Sequence, residues 1–212
     1  MAWYGSMKSL EMAEKRVFDA LLAILVFVCA LPLFAVIPLL IKLTTPGPVF
    51  YKAPRLGRNG RPFFIWKFRS MYSDADRRLV SLLMIDESAR EEYKALFKIK
   101  NDPRITFLGK ILRRTSLDEL PQLLNVFRGE MSLVGPRPIV EAEISRYGKD
   151  YEIVSKFRPG ITGLWQTSGR NDVDYNRRIA LDTYYVLNWS PWLDVCIVLK
   201  TVWCVLCMKG AY

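Results

Sequence analysis

The chain contains no histidine. That excludes a Ser–His–Asp triad, a histidine general base and a histidine-ligated zinc site together. Any chemistry must fall to carboxylate, Lys, Tyr, Ser or Cys. Cysteine is scarce too: Cys29, Cys196, Cys204 and Cys207 are all there are. Cys204 and Cys207 have C-x-x-C spacing, but they lie in an apolar stretch with neither a second pair nor a histidine. Ordinary apolar packing competes there with a redox or metal role. Acidic residues are also in deficit, with 21 Asp and Glu against 31 Lys and Arg and a formal charge of +10. That balance points to anionic partners: phosphorylated substrates, anionic lipid or nucleic acid. No internal repeat or low-complexity tract appears. At 212 residues the chain suits one domain with a real core.

Charge is missing altogether from Ala20 to Ile41. As a helix this run spans ~33 Å, enough for a bilayer core. It is too long for a cleavable signal, and no small-residue cleavage site clearly follows. Pro32 removes the hydrogen bond to the Val28 carbonyl and Pro38 adds a second interruption, so a bend is expected. Both flanks are basic, with Lys8, Lys15 and Arg16 before, then Lys42, Lys52, Arg55, Arg58 and Arg61 after. Positive flanks favour the cytoplasmic side, so both ends are expected there. A helix that enters, bends at Pro32 and returns satisfies both observations; a plain kinked transmembrane helix is the alternative.

Thr45–Pro48 (TPGP) marks a turn. Val49–Arg55 and Pro62–Arg69 then predict two strands around LGRNG. Lys67 and Arg69 share one face of the second strand, as a phosphate clamp or as a solvated edge. Arg77–Lys100 predicts an amphipathic, heavily charged helical segment. A turn at Asn101–Arg104 precedes Ile105–Leu112.

The stretch Arg113–Pro138, RRTSLDELPQLLNVFRGEMSLVGPRP, is the candidate centre. Leu120, Leu123, Leu124 and Phe127 recur at helical spacing, and Gly129 is placed to stop the helix. Its start is ambiguous. Ser116 and Glu119 read as a capping box, whereas a start one or two residues later puts Pro121 in the tolerated first turn. Either way Asp118 and Glu119 lie at a helix N-terminus, beside free N–H groups and behind Arg113 and Arg114. Phosphate chemistry suits such a place. One carboxylate could attack phosphorus while the other holds a divalent cation; simple capping of an acidic first turn is the competing reading.

Downstream, Pro136 and Pro138 hold Arg137 extended, so that gripping an anion loses it little entropy. Arg158-Pro159-Gly160 repeats the theme of a basic residue beside constrained backbone. Trp165 could stack on a base and Gln166 could read its edge, or the tryptophan could be core. Asp182, Tyr184 and Tyr185 close this half. Pro191–Met208 is apolar and carries Trp192 and Trp203, which predicts a helix lying on or slightly in a bilayer. Asp194 and Lys200 argue against a second span.

KFRSM at Lys67–Met71, NDPRIT at Asn101–Thr106, the central stretch, RPGITGLWQ at Arg158–Gln166 and LDTYYVLNWS at Leu181–Ser190 stand in one order. Together they resemble the bacterial sugar transferase family, the monotopic phosphoglycosyl transferases, over nearly the whole chain from about Lys15. The resemblance implies an α+β, mostly helical fold. It comprises an N-terminal re-entrant membrane helix kinked at Pro32, a small β-hairpin, and amphipathic interfacial helices around the active site. Residues 1–14 would be a leader or tag-like segment and 15–212 one catalytic domain: 15–43 the re-entrant helix, 44–190 the cytoplasmic part, 191–208 an interfacial helix.

The implied reaction moves a sugar 1-phosphate from a UDP-sugar, a hexose such as galactose or glucose, to polyprenyl (undecaprenyl) phosphate, with UMP released. By position, Asp118 resembles the nucleophile of a covalent phosphosugar intermediate and Glu119 its Mg²⁺-binding partner. Arg113 matches the arginine beside the diphosphate, and Arg137 the segment near the nucleotide. Lys67, Arg158 and Asp182 also match family positions, and Gln166 joins them as a substrate-binding candidate. The setting implied is the cytoplasmic face of the bacterial inner membrane, with the lipid bilayer as partner and no nucleic acid. Homodimerisation is compatible with the sequence, though no residue specifies it. One departure is Leu31, where relatives often carry Ser before the kink proline. The competing class is a non-enzymatic, membrane-anchored basic module that binds anionic lipid or polyanions, which leaves Asp118 and Glu119 without a task.

Overall fold

A computed structural model describes residues 9–96, 99, 102–169 and 173–207. The first element, α1 (Ser9–Thr44), is helical past both Pro32 and Pro38, so the backbone does not unwind at either. Because it begins at Ser9, it takes in the last residues of the expected leader; residues 1–8 fall outside the description. Only 17% of its most apolar window is buried, whereas the core helix of a soluble protein is mostly buried. Among the described residues it is the one helix long and apolar enough to cross a membrane.

One narrow face of α1 is nonetheless covered along its length. Lys15, Asp19, Ala23, Ala30, Ile37 and Ile41 are buried, at intervals of four and seven that keep them on one stripe. Near its start, Lys15 Nζ lies 2.6 Å from Asp194 Oδ2, and Asp19 Oδ2 accepts from the Ser132 hydroxyl at 2.7 Å. Arg16 donates to the Val126 and Phe127 carbonyls. Near its end, Ile37 and Ile41 pack with Phe68 and Leu112. The buried Arg69 guanidinium then grips the Thr45 and Pro46 carbonyls just past the helix. Both ends of α1 thus bind the rest of the fold. Val17, Leu21, Ile24, Leu25, Val28, Leu31, Leu39 and Leu43 face outward.

Strands β1 (Phe50–Leu56) and β2 (Pro62–Phe68) form the antiparallel hairpin expected around LGRNG, with Lys52 opposite Trp66. Its turn needs left-handed backbone at Asn59 (φ 57°) and Gly60 (φ 72°), which Asn and Gly tolerate best. Within the expected 77–100 segment the described residues form two helices, α2 (Ala75–Ile85) and α3 (Glu87–Leu96), broken at Asp86, whose side chain accepts from the Ala89 N–H; residues 97, 98 and 100 lie outside the described residues. Helix α4 (Phe107–Arg114) starts under a Thr106 cap.

The central stretch departs from expectation in two ways. Leu117–Gln122 is a 3₁₀ helix, followed by a short α5 (Leu123–Phe127). Ser116 adopts left-handed backbone (φ 58°) and its side chain caps nothing, so the capping box does not form. Pro121 explains the 3₁₀ turn, since its missing N–H is tolerated in a tight, short helix start. The anticipated apolar face is split: Leu123 is buried in the core and Leu120 packs against Phe68 and Leu112, whereas Leu124 and Phe127 are 43% and 40% exposed and Asn125 and Val126 turn inward in their place. Phe127 instead meets Phe27 of α1 edge-on, with ring centroids 6.0 Å apart. Gly129 does end the helix, at φ 78°.

Beyond it, β3 (Ser132–Val134) pairs in parallel with β4 (Gly160–Thr162). Short helices α6 (Ile144–Tyr147) and α7 (Tyr151–Val154) lie between them, then α8 (Tyr175–Leu187) and α9 (Pro191–Leu206) follow. The main core joins Ala23, Ala53, Ile65, Leu123, Val126, Val134, Tyr185 and Ile197. It therefore welds α1, the hairpin, α5, β3, α8 and α9 together.

Gly109 shows how tightly α4 is seated. A Cβ there would lie 1.9 Å from the Ser70 carbonyl oxygen, a backbone atom that cannot step aside. Gly109→Ala is expected to destabilise the protein by about 1–3 kcal/mol, as overpacking does. A lowered unfolding midpoint in detergent is the readout, and an unchanged midpoint would contradict the packing.

Candidate active site

Strand β2, the 3₁₀ turn and the loop after β3 converge on one cleft of about 250 Å³. Its lining includes Arg55, Lys67, Glu119, Gln122, Arg137, Pro138 and Gln166. Four of the residues singled out in the sequence thus meet there: Lys67, Glu119, Arg137 and Gln166.

What fixes the floor of the cleft is Asn125. Its Oδ1 accepts from the Trp66 N–H at 3.1 Å and its Nδ2 donates to the Phe64 carbonyl at 2.8 Å, mimicking one more strand against β2. Nδ2 also reaches Glu130 Oε2 at 2.7 Å. This stitching sets β2 in register with the 3₁₀ turn, and Lys67 Nζ comes 2.5 Å from Glu119 Oε1. Sequence reasoning passed Asn125 over; a polar residue inside the apolar LLNVF was the available signal.

Asp118 is only 6% exposed. Burial pushes its carboxyl up to about 6, with the Glu119 charge adding to the rise; Lys67 and Arg113 oppose it. A carboxylate that is largely ionised at neutral pH yet poorly solvated suits a nucleophile. Arg113 lies within electrostatic reach of Asp118 and is braced by its Nε, which donates to Ser70 Oγ at 2.8 Å. Arg114 is exposed and takes no part.

Around the other side, Arg137 lies 5.8 Å from the Trp165 ring centroid and Arg178 4.8 Å from the same ring. Arg178 donates to the Val173 carbonyl at 2.9 Å. Neither Arg178 nor the cleft role of Arg55 was visible in the sequence, where Arg55 counted only among the basic residues that follow the apolar run. The cleft therefore sets one carboxylate, Glu119, among the cations of Arg55, Lys67 and Arg137, with Trp165 buried behind Arg137.

Three expectations need correction. Arg158 does not join the cleft: its Nε donates to the Gly129 carbonyl at 2.8 Å, beside Arg16 at the end of α5. Two arginines there satisfy carbonyls that the helix end leaves unpaired. Asp182 is fully buried, so direct contact with substrate is not available to it. Trp165 is 3% exposed and offers its face to arginines rather than to an incoming base, while Gln166 spends its Nε2 on the Ile161 carbonyl. Gln166 Oε1 is buried without a partner.

For a divalent cation, no cluster of three or more His, Cys, Asp or Glu side chains exists among the described residues. The described residues thus build no cage of zinc or calcium ligands. Magnesium has different needs, typically one or two carboxylates plus phosphates and water, and the hard oxygens of Glu119 and Asp118 fit that pattern.

Comparison with known proteins adds an independent line. A model of the family described as bacterial sugar transferase matches residues 10–208. The exopolysaccharide production protein ExoY of Sinorhizobium fredii is 47% identical over 208 residues, covering 98% of this chain and 92% of that protein. The undecaprenyl-phosphate galactose phosphotransferase of Salmonella typhimurium is 50% identical over 199 residues, 93% of this chain but 41% of that protein. The UDP-glucose:undecaprenyl-phosphate glucose-1-phosphate transferase of Escherichia coli is 39% identical over 206 residues, again 93% of this chain and 41% of the relative. The chain is thus similar to nearly the whole of one relative and to less than half the length of the others.

Proposed function

The chain belongs to the bacterial sugar transferase family, and on that premise we propose that it transfers a sugar 1-phosphate from a UDP-sugar to undecaprenyl phosphate and releases UMP, initiating a membrane-bound glycan. The observation that carries this reading is a buried, raised-pKa Asp118 directly behind Glu119, which pairs with Lys67 in a cleft also lined by Arg55 and Arg137. A module that merely bound anionic lipid would display these cations outward; Lys67 is instead turned inward onto a carboxylate.

In the mechanism, the Asp118 carboxylate attacks the sugar-bearing phosphorus, and the bond to the bridging oxygen breaks with UMP as leaving group. An oxygen of undecaprenyl phosphate then attacks the same phosphorus and displaces Asp118, which returns as carboxylate. Splitting the displacement lets the two bulky substrates bind in turn. Arg113 and Arg137 offset charge on the phosphoryl oxygens, and no histidine is required. Glu119, with Asp118 beside it, would hold Mg²⁺; when bound, the ion supplies charge neutralisation on the diphosphate.

Placement follows from α1. Its outward face is apolar, and both its ends engage the catalytic unit. This supports a monotopic anchor whose ends stay at the cytoplasmic face of the inner membrane, with α9 beside it presenting Trp192 and Trp203 to the lipid interface.

The test is UMP release from protein in nanodiscs given undecaprenyl phosphate and a panel of UDP-sugars, UDP-galactose and UDP-glucose first. Release with one donor is expected; silence across the panel would overturn the assignment. Chelation with EDTA is expected to abolish release and added Mg²⁺ to restore it. The unfolding midpoint is expected to stay within about 1 °C, because the protein supplies too few ligands for the ion to stabilise the fold appreciably. A large midpoint shift would mean a protein-built metal site instead.

A further inference from the structure

Asp182 has no role in the chemistry above, yet it is the most conspicuous buried acid outside the cleft. It sits on α8 with no solvent exposure. The Tyr147 hydroxyl donates to its Oδ2 at 3.1 Å, and the backbone N–H of Arg137 faces the carboxyl. Oδ1 has no hydrogen-bond partner. A buried carboxylate satisfied this sparingly contributes little to stability. Its place behind the Pro136–Pro138 loop says what it does contribute.

We propose that Asp182 is a positioning residue for donor binding: it holds the Arg137 backbone from behind, and so sets the Arg137 guanidinium in the cleft, without touching substrate. The proposal rests on the functional reading above and deepens it. Two prolines leave the loop few conformations, so a grip on the one N–H between them fixes the guanidinium on the other side. That grip is charge-assisted only while Asp182 is ionised.

Burial pushes this carboxyl up to about 7, against the Tyr147 hydroxyl and Arg137, which both favour the charged form. The groups facing it are Tyr147 from α6 and Arg137 from the loop; Tyr175 and Arg178 stand earlier on its own helix, and Glu143 lies against Tyr147 and Tyr175. Tyr147 stays protonated, its pKa driven upward by burial and by Asp182. The carboxyl is therefore the group that changes charge near neutrality, and donor affinity should follow it.

The experiment measures KM and kcat for the donor identified by the UDP-sugar panel, from pH 5.5 to 8.5, in nanodiscs. For the wild type, KM is expected to rise about tenfold as pH falls through about 7, the difference between a charge-assisted and a neutral hydrogen bond. Asp182→Asn is expected to show the high KM at every pH with kcat within about twofold of wild type. Tyr147→Phe removes a donor that favours the carboxylate, so its KM rise should begin at higher pH than in the wild type. A structural role alone would lower kcat or stability without moving that midpoint. Wild-type KM and pH profile in Asp182→Asn, or an unmoved midpoint in Tyr147→Phe, would overturn the proposal. If Asp182→Asn does not fold, the Tyr147→Phe midpoint decides alone. A panel silent for the wild type overturns the functional reading first and this proposal with it.

Discussion

Replacing Asp118 by Asn is expected to lower UMP release at least about a thousandfold, the scale on which an enzyme loses its nucleophile. Asn has nearly the same shape but no charge to donate to phosphorus, so the cleft should survive. Membrane association should be unchanged, because α1 is untouched. The same variant carries a stability signature. Burial raises the Asp118 pKa from 3.8 to about 6, so the fold prefers the protonated carboxyl. The contribution of Asp118 to stability is then greatest below about pH 4 and declines as pH rises through about 6, by on the order of 2–3 kcal/mol. Asp118→Asn lacks that decline and should be at least as stable as wild type at pH 8. Urea unfolding at pH 4.5 and 8 reads the difference. Normal turnover by the variant would remove Asp118 from the mechanism, and a variant weaker than wild type at pH 8 would mean that its charge is favourably held.

The second large effect is expected at Asp194. Its carboxylate receives Lys15 Nζ at 2.6 Å, the Tyr185 hydroxyl at 2.6 Å and Trp189 Nε1 at 3.0 Å, with the residue 1% exposed. Asp194→Ala removes the acceptor shared by three donors, of which Tyr185 keeps the Val134 carbonyl at 3.1 Å and the buried Lys15 keeps only Asp19 at 3.9 Å. A loss of about 3–5 kcal/mol is expected, the scale of a buried pair broken on one side. The double variant Lys15→Met/Asp194→Leu should recover part of it, since apolar residues of similar size replace the pair, although buried Asp19, 3.9 Å from Lys15, then loses its cation. Unfolding midpoints of the two variants decide the matter: a mild single variant would place the pair in contact with water.

Local pattern carried some of this structure and not the rest. The hairpin was legible because LGRNG supplies the turn and bulky aromatics supply the strands, all within twenty residues. The acid pair at a helix start was legible for the same reason. Burial of Asp182 and capping by Arg158 were not, since each depends on partners brought in by tertiary packing: Tyr147 stands 35 residues from Asp182, and Gly129 29 residues from Arg158. The outward turn of Leu124 and Phe127 was illegible in another way. Helical spacing identifies an apolar stripe but not whether protein or lipid covers it. Asp194 looked like an obstacle to membrane insertion; the structure gives its charge to Lys15, 179 residues away.

The stripe along α1 has a consequence for engineering. An ordinary membrane anchor is interchangeable: a different hydrophobic helix of the same length can be spliced on and the enzyme follows it to the bilayer. Here Ala23, Ala30, Ile37 and Ile41 are as much part of the enzyme's interior as Val126 or Phe68. A chimera with a polyleucine anchor would therefore reach the membrane and arrive without a properly closed catalytic unit, and solubilising the protein by trimming α1 would remove part of its core rather than a handle.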